Sequence, residues 1–193
     1  MYLSLENMND TKILFVDLDG TLIKEDLSNL AFIDFLKKHP FKCIFYLFVF
    51  LFKGKAFLKE KISSNFNVPF AKLTYNKSAL EYVKLVKNRH RVVYLISGSH
   101  QKLVNQVHNH LKIFFESFGT KDNFNMVGIN KVTFIRNKLN IHDFQYLGNS
   151  VKDIPIWNFC KNILYTNANH QLKKIIVNLD LEKQEIKEDF KSY

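Results

Sequence analysis

The feature that most constrains this chain is a short β-prone run, Lys12 to Val16 (KILFV), that stops dead on Asp17-Leu18-Asp19-Gly20-Thr21. An uninterrupted apolar run of this length suits a strand covered on both faces, as in a parallel sheet. Similar runs recur. Arg91 to Ile96 (RVVYLI) ends on Ser97-Gly98, Phe144 to Leu147 (FQYL) on Gly148-Asn149-Ser150, and Ile163 to Thr166 (ILYT) on Asn167. Phe114 to Phe118 (FFESF) is a weaker fifth run. Helix-compatible stretches separate them at Ser78 to Asn88, His100 to Lys112, Val132 to Leu139 and Ile154 to Cys160. Such alternation predicts an α/β, Rossmann-like core. Its parallel sheet is flanked by helices through right-handed crossovers, and the polar strand ends gather at one edge.

The interval from Leu22 to about Tyr75 breaks this rhythm. It reads as three helices, Leu27 to His39, Phe41 to Lys53 and Lys55 to Phe66, punctuated by Pro40 and Gly54. The expected organisation is a core of residues 1–22 and 76–193 with a helical cap, 23–75, inserted after the first strand. The charge-rich stretch Leu179 to Tyr193 reads as a helix or a tail. With 47% hydrophobic residues, 19 Phe and 8 Tyr in 193 residues, the chain can build a core without a metal or disulfide staple. Cys43 and Cys160 form no CxxC pair, and the first ten residues lack a signal-peptide pattern, so the expected location is a reducing cytoplasm.

Twenty-eight Lys and Arg against 18 Asp and Glu leave a net charge of +10, a field that attracts phosphate esters, anionic membranes and nucleic acid alike. Charge alone makes no case for specific nucleic-acid binding. Cys43 to Phe52 (CIFYLFVFLF) is apolar on every side, and as a helix it rises only about 15 Å, half of a hydrocarbon core. Two readings remain open for it, a buried cap helix or an interfacial helix. In the second, Lys37, Lys38, Lys42, Lys53 and Lys55 meet anionic lipid at the inner face of the membrane.

The chemistry concentrates at the strand ends. Asp17 and Asp19, two residues apart on one turn, can supply a nucleophile, a metal ligand and a proton donor. Ser97 carries a short hydroxyl donor ahead of the backbone N–H groups of a following helix start, with Ser99 as the competing candidate. Lys131 and its runner-up Lys138 lie ahead of Gly148-Asn149-Ser150-Val151-Lys152-Asp153, and Lys131 taken by itself reads as solvated surface. His100 suits a helix start, and His108 and His110 point to different helix faces, which is poor metal geometry.

Together these stations resemble the haloacid dehalogenase (HAD) superfamily of aspartate-nucleophile phosphatases over nearly the whole length. The resemblance implies a Mg²⁺-dependent hydrolase of phosphoric monoesters with a C1-type helical cap. It makes Asp17 the nucleophile and Asp19 the general acid and base, places Ser97, Gly98 and Lys131 on the phosphate, and draws the metal ligands from Asp17, Asp19, Asn149 and Asp153. Asn149 departs from the commonest pattern, Gly-Asp-x-x-x-Asp, by replacing an acid with an amide. Leu73-Thr74-Tyr75-Asn76, Tyr146 to Ser150 and Asp153-Ile154-Pro155-Ile156-Trp157 narrow the likeness to the HAD domain that precedes a UbiA-type membrane prenyltransferase, where Gly-Asn-Ser also occurs. This narrower resemblance implies a substrate that is a small phosphorylated metabolite or a lipid-linked phosphate, with a membrane surface or a prenyltransferase domain as partner. The alternative is a module that keeps the fold for regulation or membrane docking and has little turnover.

Overall fold

The computed structural model describes residues 12–187. Six parallel strands form one sheet in the order β3-β2-β1-β4-β5-β6. They are β1 (Ile13–Val16), β2 (Val92–His100), β3 (Glu116–Thr120), β4 (Gln145–Gly148), β5 (Asn162–Tyr165) and β6 (Glu182–Glu185). The helices are α1 (Leu27–Lys38), α2 (Pro40–Ser63), α3 (Lys77–Asn88), α4 (Gln101–Leu111), α5 (Ile129–Thr133), α6 (Ile154–Trp157) and α7 (His170–Val177).

β1 lies at the centre because its side chains are apolar on both faces: Leu14, Phe15 and Val16 are fully buried. Leu14 and Val16 join an apolar cluster with Leu95 and Val104, and Phe15 joins another with Ile96, Tyr146 and Trp157. Val16 sits in register with Leu95 on one side and Leu147 on the other. The connections from β1 and β4 therefore leave in opposite directions, which opens a crevice at their carboxyl ends.

The interval between β1 and α3 contains none of the six strands. Asp26 caps α1 by accepting from Asn29 N–H at 2.9 Å. Gly54, at φ 77 and ψ −177, breaks α2 into the two arms expected from the sequence. Leu27, Ala31 and Phe35 of α1 and Cys43 and Ile62 of α2 share the apolar cluster of Leu14 and Val16. The entry and exit legs of the interval run together: Lys24 N–H donates to Thr74 O, and Asn76 N–H to Leu22 O, both at 2.9 Å.

Three expectations need correction. Residues 182–185 form strand β6 rather than a helix or tail, because pairing with β5 satisfies their backbone and Glu185 is neutralised by Lys173 and Lys187, each at 2.8 Å. Residues 188–193 lie outside the described residues. The stretch Val132 to Leu139 is no single α-helix, since α5 gives way to a π-turn at Phe134–Lys138. β2 continues past Ile96 to His100 through an irregular register with β3, carrying Ser97, Gly98 and Ser99 within the strand.

Candidate active site

Asp17 follows the last residue of β1, and its N–H is held by Leu147 O of β4 at 2.9 Å. Its carboxylate is buried, with Oδ1 2.7 Å from Lys131 Nζ. Burial pushes the Asp17 carboxyl up to about 7, and the Lys131 ammonium pulls against that rise. Lys131 comes from α5, and its Nζ also donates to Tyr146 Oη at 2.6 Å. Tyr146 in turn donates to Asp153 Oδ1 at 2.8 Å, completing a buried chain from Asp17 to Asp153.

Asp19 stands where the chain turns out of the sheet. Its Oδ1 accepts from Leu27 N–H at 2.8 Å, and its Oδ2 accepts from Ser97 Oγ at 2.7 Å and Ser99 Oγ at 2.8 Å. Burial raises the Asp19 carboxyl above the ordinary range, and the donors from Leu27 and Ser97 oppose the rise. Gly20 makes the exit possible. Its φ is +80, and a Cβ there would overlap the Asn149 side chain.

A cavity of about 390 Å³ opens over these groups, lined by Asp17, Asp19, Gly98, Ser99, Lys131 and Asn149 among others. Of the two serine candidates, Ser97 is fully buried and does not line the cavity, whereas Ser99 does, although both hydroxyls donate to Asp19. Lys138 is an exposed residue of the π-turn, whereas Lys131 reaches Asp17. His100 caps α4, its Nδ1 accepting from Lys102 N–H.

The acidic candidates differ in what remains open on them. Asp153 Oδ2 accepts from Asn149 N–H at 3.0 Å, Ser150 N–H at 2.9 Å and Ser150 Oγ at 3.1 Å, so both its oxygens already hold donors. It fixes the Gly148-Asn149-Ser150 turn. Asp17 Oδ2 and Asn149 Oδ1 instead converge on one hydroxyl, Thr21 Oγ1, at 3.5 and 3.3 Å. One hydroxyl proton cannot satisfy both acceptors, and two converging oxygens, one charged, suit a hard cation that keeps several waters. Among the described residues no three His, Cys, Asp or Glu side chains are grouped to hold a metal.

Three contributors are not apparent from the sequence. Tyr146 links Lys131 to Asp153; its place in β4 two residues before Gly148 puts both on one face of the sheet, the one available signal. Lys59 of α2 and Asn125 meet across the cavity, with Lys59 Nζ donating to Gly98 O at 2.6 Å and to Asn125 Oδ1 at 2.8 Å. Burial lowers the Lys59 ammonium to about 8, against the opposing pull of Asp26 and Asp19. Nothing in the local sequence separates Lys59 from the neighbouring solvated lysines.

No family model matches the chain. A curated relative, the uncharacterized protein y4nM of Sinorhizobium fredii, is 28% identical over 144 residues, which cover 75% of this chain and 28% of that protein. The chain thus spans a little over a quarter of that relative's length. Among solved structures, a protein of unknown function from Bordetella pertussis Tohama I aligns with a TM-score of 0.65 at 14% identity, covering 92% of this chain and 100% of that one. A substrate-bound phosphoserine phosphatase aligns at 0.58 and 19% identity, covering 92% and 95%. A predicted phosphoglycolate phosphatase from Haemophilus somnus 129PT aligns at 0.61 and 13%, covering 93% and 96%. At these identities the likeness shows a shared fold and no more.

Proposed function

We propose that this chain is a Mg²⁺-dependent phosphatase that hydrolyses phosphoric monoesters through a phosphorylated Asp17. The observation that carries the reading is the buried Asp17–Lys131 pair at 2.7 Å on the floor of a cavity that also presents Asp19. Asp17, Asn149 and the backbone carbonyl of Asp19 would hold the Mg²⁺, with Asp153 keeping Asn149 in place. When bound, the cation supplies charge stabilisation to the phosphoryl oxygens and offsets repulsion between the ester and Asp17.

An Asp17 carboxylate oxygen attacks phosphorus, and the bond from phosphorus to the ester oxygen breaks. Asp19, whose raised carboxyl can carry a proton, hands it to the leaving alkoxide. A water then attacks the aspartyl-phosphate, Asp19 takes up its proton, and inorganic phosphate leaves with Asp17 restored. Lys131 neutralises Asp17 in the resting site and faces the equatorial oxygens during transfer, and the Gly98-Ser99 segment lines the same cavity. Residues 23–75 act as the cap, since α2 delivers Lys55 and Lys59 to the cavity rim. An opening of this size admits a small phosphorylated metabolite or the head of a lipid-linked phosphate.

The neutral amide of Asn149 favours a second reading, a fold retained with little turnover. Release of p-nitrophenol from its phosphate ester in the presence of Mg²⁺ distinguishes the two. The phosphatase reading expects turnover that disappears in Asp17→Asn and on chelation of Mg²⁺; equal rates in wild type and variant would overturn it.

A further inference from the structure

Outside the cavity, the first arm of α2 carries a row of exposed aromatic side chains, in which Phe45 meets Tyr46 and Phe48 meets Phe52 of the same helix. Phe41, Phe45, Phe48 and Phe52 recur at i, i+4, i+7 and i+11 and so form one stripe, and Ile44 and Leu51 broaden it. None is packed away: Phe41 is 86% exposed, Phe45 and Phe48 61%, and Phe52 77%. The opposite face of the same arm is already spent on the core, where Cys43 is buried and Tyr46 stacks on Phe35 at 5.8 Å. A contiguous apolar stripe of this kind marks an interaction surface rather than ordinary surface scatter.

We propose that this stripe is the docking surface for an anionic lipid membrane, with the helix lying in the plane of the headgroups. The charge pattern selects this occupant. From Phe35 to Leu58 the chain carries five lysines, Lys37, Lys38, Lys42, Lys53 and Lys55, and not one Asp or Glu, Lys38 alone among them being paired with an acid, Asp34, at 2.8 Å. Lys42 and Lys53 flank the stripe at its two ends and are exposed, placed to meet anionic headgroups while the phenylalanines enter the acyl boundary. A second copy of the chain is a poorer occupant, because a twofold contact through the stripe brings lysines against lysines with no acid to answer them. Spanning is not open to this helix: among the described residues no helix is long and apolar enough to cross a membrane.

The test uses Phe48→Trp as a reporter on the whole chain, since the one native tryptophan, Trp157, is fully buried. Vesicles of phosphatidylcholine with phosphatidylglycerol should shift its emission to the blue and pellet the protein, and added salt should weaken both. Vesicles of phosphatidylcholine alone should do markedly less. In the same background, Phe41→Ser with Phe45→Ser and Phe52→Ser should abolish pelleting. Lys42→Glu with Lys53→Glu, both on the exposed surface, should weaken binding by roughly tenfold or more. The lysine pair keeps the test decisive if the serine variant fails to fold. An unshifted emission, equal binding to neutral vesicles, or a dimer by light scattering that dissolves when the stripe is substituted would each overturn the proposal. Binding is read without turnover, so its outcome is independent of the phosphatase reading.

Discussion

Lys131 Nζ lies 2.7 Å from Asp17 Oδ1 across 114 residues of sequence, and both side chains are buried at the floor of the cavity. Removing one member of such a pair strands the other as an uncompensated buried charge. Lys131→Met should therefore destabilise the protein by about 3–5 kcal/mol at neutral pH, measured by urea unfolding. The same variant should lose turnover even where it remains folded. A loss below about 1 kcal/mol would show that the pair is more hydrated than its burial implies.

Gly20→Ala combines two costs. The left-handed φ of +80 disfavours any Cβ by about 1–2 kcal/mol, and that Cβ would drive Asn149 from its place beside Thr21. The expected result is a lowered thermal midpoint together with weaker Mg²⁺ binding by calorimetry. A fall in stability with unchanged Mg²⁺ affinity would remove Asn149 from the metal site.

Asp19→Asn keeps an acceptor for Leu27 N–H but cannot give up a proton. Loss of a general acid costs about 10²–10⁴ in rate, and most where the leaving group is a poor one. An alkyl phosphate should therefore suffer far more than p-nitrophenyl phosphate, whose phenolate departs with little help. Equal losses on the two substrates would assign Asp19 a structural part only, as the anchor of Ser97, Ser99 and Leu27.

Lys59 provides a pH signature. Its ammonium is lowered by burial to about 8 in the folded protein from 10.5, so between these values the unfolded chain binds more protons than the folded one. Stability then rises with pH across that window, because deprotonation relieves the cost of burying the charge. Lys59→Met should flatten this part of the stability profile when the two proteins are unfolded in urea at pH values from 8 to 10.5. A parallel pair of profiles would show that Lys59 is fully solvated.

Much of the fold was legible because it is encoded locally. KILFV ending on Asp17 marks a strand covered on both faces, and Pro40 and Gly54 punctuate the helical interval that follows it. Asp17 and Asp19 were evident for the same reason: two acids at the end of a buried strand carry a desolvation cost that a purely structural turn has no need to bear. β6 was missed because its sequence, EKQE, carries no apolar alternation, and its pairing with β5 and the lysines beside Glu185 decide its state.

The chemistry of the strand ends was therefore set by the sequence alone, since residue type and proximity along the chain suffice to place two carboxylates on one turn. Which partners they received was decided only by tertiary structure. Ser97 and Ser99 turn onto Asp19 from about 80 residues away, Lys131 reaches Asp17 from a separate helix, and Lys59 arrives from α2. Parallel strands can be joined only through long crossovers, so neighbours at the sheet's carboxyl edge are remote in sequence, and no local pattern records which side chains will meet there.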